Sequence, residues 1–161
     1  MERIYAPWRI KYLEKADEKS KKCIFCYPDK RMLILKDKKF IIILNKYPYT
    51  NGHIMVAPNL HKVMLEELDK ESLLGLMEGV QLGIKILKKA YRPSGFNIGI
   101  NYGRVSGAGI EDHLHIHIVP RWSGDTNFMP VVGKTKIVSE SFESVKRKLK
   151  KSLKEVFDGK I

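Results

Sequence analysis

The sequence predicts an α+β fold in which an antiparallel sheet of five strands carries one long helix and a second, C-terminal helix. Three observations lead there: three short apolar runs precede a long stretch of helical period, two more follow it, and an amphipathic segment ends the chain. Strands grouped on either side of a single helix argue against a repeating strand–helix–strand pattern and its parallel sheet.

Residues 1 to 30 carry no sustained period, and Lys19-Ser20-Lys21-Lys22 stands just before Cys23. Met32 to Leu35 and Phe40 to Leu44 are Ile- and Leu-rich runs of strand length. Tyr47-Pro48-Tyr49-Thr50-Asn51-Gly52 makes the turn into a third strand, His53 to Ala57, which Pro58 closes. From about Lys70 to Tyr91, Leu73, Met77, Val80, Ile84, Leu87 and Tyr91 recur at steps of four and three and share one helical face. Asp69 is its N-cap, and Pro93 with Gly95 ends it. Gly75, Gly79 and Gly83 lower this helix's intrinsic stability by up to ~1 kcal/mol each relative to Ala. A close approach to the sheet or to a partner chain would explain them, and both stay open. Phe96 to Asn101 and Leu114 to Pro120 are the fourth and fifth strands, joined by a Gly-rich loop. A last helix from about Ser139 buries Phe142, Val145, Leu149, Leu153 and Val156, with Gly159 as its stop.

At 161 residues, 43% hydrophobic and 30% charged, the chain is expected to form one domain, 1–161, with an N-terminal segment (1–30) and a C-terminal helical segment (139–161). No apolar run approaches the ~20 residues of a membrane span. Met1-Glu2-Arg3-Ile4-Tyr5 lacks a signal peptide's basic start and apolar centre, so a cytoplasmic location is expected. The net charge of +12 has three readings: nucleic-acid binding, steering of a small polyanion, or a solvated lysine-rich surface. No nucleic-acid module appears, and the seven basic residues from Lys146 to Lys160 alternate with acids as a solvated helix face does.

The segment that carries chemistry is His113-Leu114-His115-Ile116-His117-Ile118-Val119. Side chains alternate along a strand, so the three imidazoles share one face, roughly 6.5–7 Å apart, while Leu114, Ile116 and Ile118 enter the core. Such a row fits either a three-histidine metal centre or nucleophilic attack on phosphorus by a neutral imidazole. With an ordinary pKa of about 6.5, imidazole is largely unprotonated at neutral pH. It then attacks without a separate base, provided its other nitrogen is held protonated by an acceptor. Asn101, Gly103, Ser106, Gly107, Ala108 and Gly109 form a small-residue loop leading into the row, where backbone N–H groups can converge on a phosphate. Cys23 and Cys26 are spaced as half of a metal site or as a redox pair.

With these parts together the sequence resembles the histidine-triad superfamily, whose motif is His-φ-His-φ-His-φ-φ with φ apolar. Residues 113 to 119 match it without exception, and Asn51-Gly52-His53-Ile54-Met55-Val56-Ala57-Pro58 and Asn101-x-Gly103 extend the likeness from about Cys23 to Trp122. The resemblance implies a five-stranded antiparallel half-barrel, a nucleotide substrate, a homodimer and a nucleotidyl-histidine intermediate on the middle histidine, His115. It implies that His53 and His117 orient the nucleophile and support the phosphates. Asn45 would contact the ribose, and Asn101 the reacting phosphate. Ile24, Phe25 and Leu44 would line the base pocket, with plain core as the rival reading, and Trp122 would stack on a second base or serve the core or a dimer. Zinc-containing relatives add a histidine after the third strand and the first triad histidine to a Cys pair. Here those are His61 and His113, which with Cys23 and Cys26 give a structural zinc site and each of the five histidines a role. No organic cofactor is expected. A redox role for the Cys pair lacks its strand–motif–helix surroundings.

Galactose-1-phosphate uridylyltransferase relatives have Gln where this chain has His117. Ala6-Pro7-Trp8-Arg9-Ile10-Lys11-Tyr12-Leu13, Gly95-Phe96-Asn97-Ile98-Gly99 and the stretch Pro120 to Phe128 look like the diadenosine tetraphosphate phosphorylases of the triad type. That group tends to carry a serine four residues before the triad, where this chain has Gly109. Cleavage of a dinucleoside polyphosphate is therefore the expected activity, with phosphate or water as acceptor. A nucleoside phosphoramidate hydrolase and a non-catalytic nucleotide-binding signalling protein are the alternatives.

Overall fold

A computed structural model describes residues 22–106, 112–125 and 140–159. The motif at Ala6–Leu13, the loop residues Gly107, Ala108 and Gly109, and the stretch after Asp125 that includes Phe128 lie outside them. Among the described residues the order is β1 (Leu33–Lys36), β2 (Phe40–Leu44), β3 (Ile54–Pro58), α1 (Lys70–Tyr91), β4 (Gly95–Gly99), β5 (Ile116–Arg121) and α2 (Phe142–Phe157), with short 3-10 turns at Leu65–Glu67 and Arg104–Ser106. The strands form one antiparallel sheet in the order β1-β2-β3-β5-β4. The expected α+β class and five-stranded sheet are therefore present. None of the described helices is long and apolar enough to cross a membrane.

The two faces of the sheet are both buried, by different elements. Ile42, Leu44, Ile54, Val56, Ile116 and Ile118 face the helices and share a core with Leu76, Val80, Ile86 and Leu87 of α1 and Val145, Leu149 and Leu153 of α2. Ile41, Ile43, Met55 and Ala57 face the other way, where Phe25 covers them. Because β2 and β3 are apolar at every position, period-two alternation is invisible in their sequence, and burial on both faces is the reason.

The long helix has the bounds expected of it, and Asp69 caps it by accepting the Ser72 N–H at 2.7 Å. Its packing face differs from the expected one. Leu73 and Met77 are exposed, whereas Gly75, Leu76, Gly79, Val80, Gly83, Ile86 and Leu87 are buried. The glycine row decides the rotation. A Cβ on Gly79 would stand 2.8 Å from the Phe40 ring and from Val56 Cγ1, and one on Gly83 would stand 3.0 Å from Ile118 and Ile54 Cδ1. The glycines thus serve an approach of helix backbone to sheet, closer than a row of larger side chains permits. At the C-terminus Ser141 caps α2, Val145, Leu149 and Leu153 are buried, and Gly159 takes the left-handed conformation (φ +68°) just past its end.

The histidine row departs from the expected geometry. Only His117 belongs to β5; His113 and His115 precede it. Alternation nevertheless persists upstream, since Leu114, Ile116 and Ile118 all enter the helix-side core. The Leu114 N–H donates to the Lys62 carbonyl at 2.7 Å, which carries the pairing beyond the regular ladder.

Candidate active site and metal centre

His117 lies opposite Met55 of β3 and Gly99 of β4, so it stands on the sheet face away from the helices. Its ring meets that of His115 edge-on, with centroids 4.8 Å apart, closer than the spacing an ideal strand gives. His53, immediately before β3, joins from the neighbouring strand: His53 Nε2 is 3.0 Å from His117 Nδ1. Asn45, just past β2, sets its amide nitrogen 3.3 Å from both ring nitrogens of His53 and accepts the Tyr47 N–H at 2.9 Å. The Asn101 amide lies 3.5 Å from His117 Nε2. His115, His53 and Asn101 are therefore brought together around His117, with Asn45 behind His53.

Backbone groups fix the tautomer of each ring, because a carbonyl can only accept and an amide N–H can only donate. His115 Nδ1–H donates to the His113 carbonyl at 2.8 Å, leaving Nε2 with its lone pair. His113 Nε2–H donates to the Pro58 carbonyl at 2.9 Å, leaving Nδ1 with its lone pair. The Tyr49 N–H donates to His53 Nδ1 at 3.1 Å, so His53 holds its proton on Nε2 and gives it to His117 Nδ1. His117 consequently carries its own proton on Nε2, beside Asn101. One ring is left with a lone pair and the next with an N–H, the pair a group-transfer site needs.

Burial holds the three triad rings neutral. His113 and His115 are at most 3% exposed, while His117 is the partly open member. Removal from water lowers the pKa of His113 and His115, and it lowers that of His117 to about 4, with the neighbouring His115 adding to the effect. A neutral imidazole is the nucleophilic form.

Cys23, Cys26, His61 and His113 form a second cluster whose ligand atoms all lie within 4.8 Å of one another. His113 Nδ1 is 3.2 Å from Cys23 Sγ and 3.7 Å from Cys26 Sγ, and His61 Nδ1 is 3.2 Å from Cys26 Sγ. A tetrahedral ion with ligands at ~2.0–2.3 Å spaces them roughly 3.3–3.8 Å apart, so the donor set fits a divalent metal of zinc's preference. His115 is not part of this cluster; the metal-centre reading of the whole histidine row does not hold, and only its first member belongs there.

The remaining expected residues are divided. Phe25 sits against the rings of both His113 and His115, 5.1 Å from each, and Ile24 packs beside it. Leu44 does not join them: it faces α1, and Ile43 occupies the histidine side, so the base-pocket expectation for Leu44 is corrected by the parity of β2. Trp122 packs edge-on against Tyr91 at the end of α1, 6.3 Å between centroids. Ser106 is exposed and turns its hydroxyl onto the Gly103 carbonyl at 2.6 Å. Sequence reasoning missed Tyr49, whose ring stacks on His53 at 4.8 Å, and the Pro58 carbonyl. Backbone partners leave no residue-type signal that could have revealed them.

A family model described as the HIT domain matches residues 29–124. A protein named AP-4-A phosphorylase, from Mycobacterium tuberculosis, is 32% identical over a 161-residue alignment covering 92% of this chain and 83% of that one. Among solved structures, a Zn-bound histidine triad family protein from Mycobacterium smegmatis superposes with a TM-score of 0.70 at 27% identity, covering 85% of this chain and 96% of its own. A hypothetical histidine triad nucleotide-binding protein from Sulfolobus tokodaii gives a TM-score of 0.69 at 31% identity, covering 83% and 93%.

Proposed function

The chain belongs to the HIT (histidine-triad) family, and on that premise we propose that it cleaves dinucleoside polyphosphates of the diadenosine tetraphosphate type through a nucleotidyl-histidine intermediate on His115. The observation that carries this reading is the 2.8 Å hydrogen bond from His115 Nδ1–H to the His113 carbonyl, which keeps the attacking lone pair on Nε2. In the first step Nε2 bonds to phosphorus and the bridging P–O bond breaks, its electrons leaving with the departing nucleotide. His117 Nε2–H stabilises the oxygen on which that charge grows, and the imidazolium formed at His115 stays bonded to the His113 carbonyl. Phosphate or water then attacks, the N–P bond breaks, and the neutral ring returns; water gives up its proton to solvent.

Asn101 contacts the reacting phosphate in this scheme and Asn45 the ribose, while Ile24 and Ile43 border the base. Zinc at Cys23, Cys26, His61 and His113 would clamp the N-terminal segment to the sheet and take no part in the bond changes. The reading includes a homodimer, supported by exposed Leu74 and Met77 on α1 and exposed Ile98 on β4, the last strand of the sheet. The net charge of +12 suits a polyanionic substrate.

Incubation with diadenosine tetraphosphate, with and without inorganic phosphate, tests the proposal. ATP plus ADP formed only with phosphate identifies a phosphorylase, and ATP plus AMP without it a hydrolase. His115→Asn should abolish both the products and the acid-labile nucleotidylated protein while nucleotide still binds. Absence of turnover and of adduct in the wild-type protein would overturn the reading in favour of a binding protein.

A further inference from the structure

We infer that the metal knuckle positions the nucleophile, with Phe25 as the positioning residue that connects them; this rests on the reading of His115 given above. Two separate links run from the Cys/His cluster to that ring. The first is His113, which offers Nδ1 to the cluster while its own backbone carbonyl accepts the His115 Nδ1–H. The second is Phe25, which lies between Cys23 and Cys26 and contacts the rings of both His113 and His115 at 5.1 Å. Phe25 is 2% exposed and rests on Ile41, Ile43, Met55 and Ala57, so the sheet supports it from below.

The geometry makes the side chain more than a wall of the base pocket. A four-residue segment whose two ends are both metal ligands has little freedom to place its middle residues anywhere else. The phenyl ring bears on the His115 ring, and the carbonyl of His113 holds that ring's Nδ1–H. Ring rotation would require one of them to give way. A metal bound at Cys23, Cys26, His61 and His113 thereby restricts the direction of a lone pair that it never touches. Misplacing a reacting atom by an ångström costs on the order of 10²-fold in rate, so a loosened knuckle would be visible in the chemical step. Outer-shell partners of this kind are worth about 10–100-fold.

The test compares the zinc-loaded protein, the same protein after chelation, and zinc-loaded Phe25→Leu. Three quantities are followed: the single-turnover rate of adduct formation, the affinity for a non-cleavable nucleotide analogue, and the solvent exchange of the His115 Nδ1–H by NMR. Positioning predicts a slowing of adduct formation by about 10-fold or more in both altered proteins. Adduct formation falls by more than analogue affinity does, the Nδ1–H exchanges faster, and zinc restores the chelated sample. Unchanged adduct rate and unchanged exchange in either folded sample overturns the inference. So does a loss confined to analogue affinity, which would make Phe25 a base-pocket residue only. Should one altered protein unfold, the other carries the comparison. Absence of adduct in the zinc-loaded wild type, with Nδ1–H exchange still metal-dependent, would remove the covalent role of His115 and leave the positioning device standing.

Discussion

His53 Nε2 lies 3.0 Å from His117 Nδ1, and the Tyr49 N–H occupies the other nitrogen of His53 at 3.1 Å. A backbone amide in the turn after β2 thus decides, through two rings, which nitrogen of His117 carries the proton. His53 is 1% exposed, with Tyr49 on one nitrogen and His117 on the other, which suits the orienting role proposed for it.

His53→Ala should therefore lower kcat by about 10–100-fold, in the range of outer-shell orienting groups, with a smaller change in KM. The His117 proton is then free to sit on Nδ1, facing away from the reacting phosphate. Steady-state kinetics with diadenosine tetraphosphate measures this. A kcat equal to wild type would show that the tautomer of His117 does not matter to the reaction.

The same burial predicts an unusual acid limb. A His117 pKa drawn down to about 4 leaves that ring neutral well below the range of a free imidazole. Turnover should hold from neutral pH to about pH 5 instead of fading near about 6.5. Stability follows the linked sign. The unfolded chain binds more protons than the folded one between about 6.5 and 4, so stability is full above that window, falls as pH drops through it, and levels off below. Urea midpoints measured from pH 8 to pH 4 check the slope, and His117→Gln should flatten part of it. A midpoint that rises on acidification would contradict the neutral, buried rings.

Much of this was legible in the chain before any coordinates, for identifiable reasons. The order of elements, the ends of α1 and the shared face of the histidine row follow from side chains with strong local preferences or a fixed spacing, whereas the grouping of His53, Asn45 and Asn101 with His115 and His117 comes from the resemblance to the histidine-triad pattern. What failed involves contacts that residue type does not report. The docking face of α1 is set by the absence of side chains at Gly79 and Gly83, so a count of apolar residues pointed to Leu73 and Met77 instead. Leu44 and Ile43 are interchangeable by composition, and only the pairing of Ile43 with Met55 reveals which faces the histidines. The closeness of the His115 and His117 rings arises because the first lies before the regular strand, where ideal spacing no longer applies.

Gly79 and Gly83 allow that packing argument to be tested. Alanine gains up to ~1 kcal/mol over glycine in helix propensity. At Gly79 the new methyl would meet the Phe40 ring and Val56 at 2.8 Å, between a rigid aromatic and a β-branched side chain with little room to move. Overpacking of that kind costs about 1–3 kcal/mol, so Gly79→Ala should be net destabilising by about 1–2 kcal/mol. Gly83→Ala meets only the ends of Ile118 and Ile54 at 3.0 Å and should stay within about 1 kcal/mol of wild type. Urea denaturation of both variants decides it; equal stability of the two would mean that the helix can lift from the sheet without cost.

The Cys/His cluster makes a separate prediction about folding. Its four donors come from the N-terminal segment, the loop after β3 and the start of the triad, which are far apart in sequence and meet only in the folded chain. A metal that binds the native state alone, at a thousand times its dissociation constant, adds about 4 kcal/mol. For a chain of this size that corresponds to a melting temperature higher by roughly 10 °C. The purified protein should hold one zinc per chain by elemental analysis. Cys23→Ser should lose most of it and melt on the order of 10 °C lower, whereas His53→Ala should keep its zinc, because His53 lies outside the cluster. Loss of metal from Cys23→Ser with no change in melting temperature would mean that the strands and helices alone hold the knuckle in place, and that the ion's contribution lies elsewhere than in the stability of the fold.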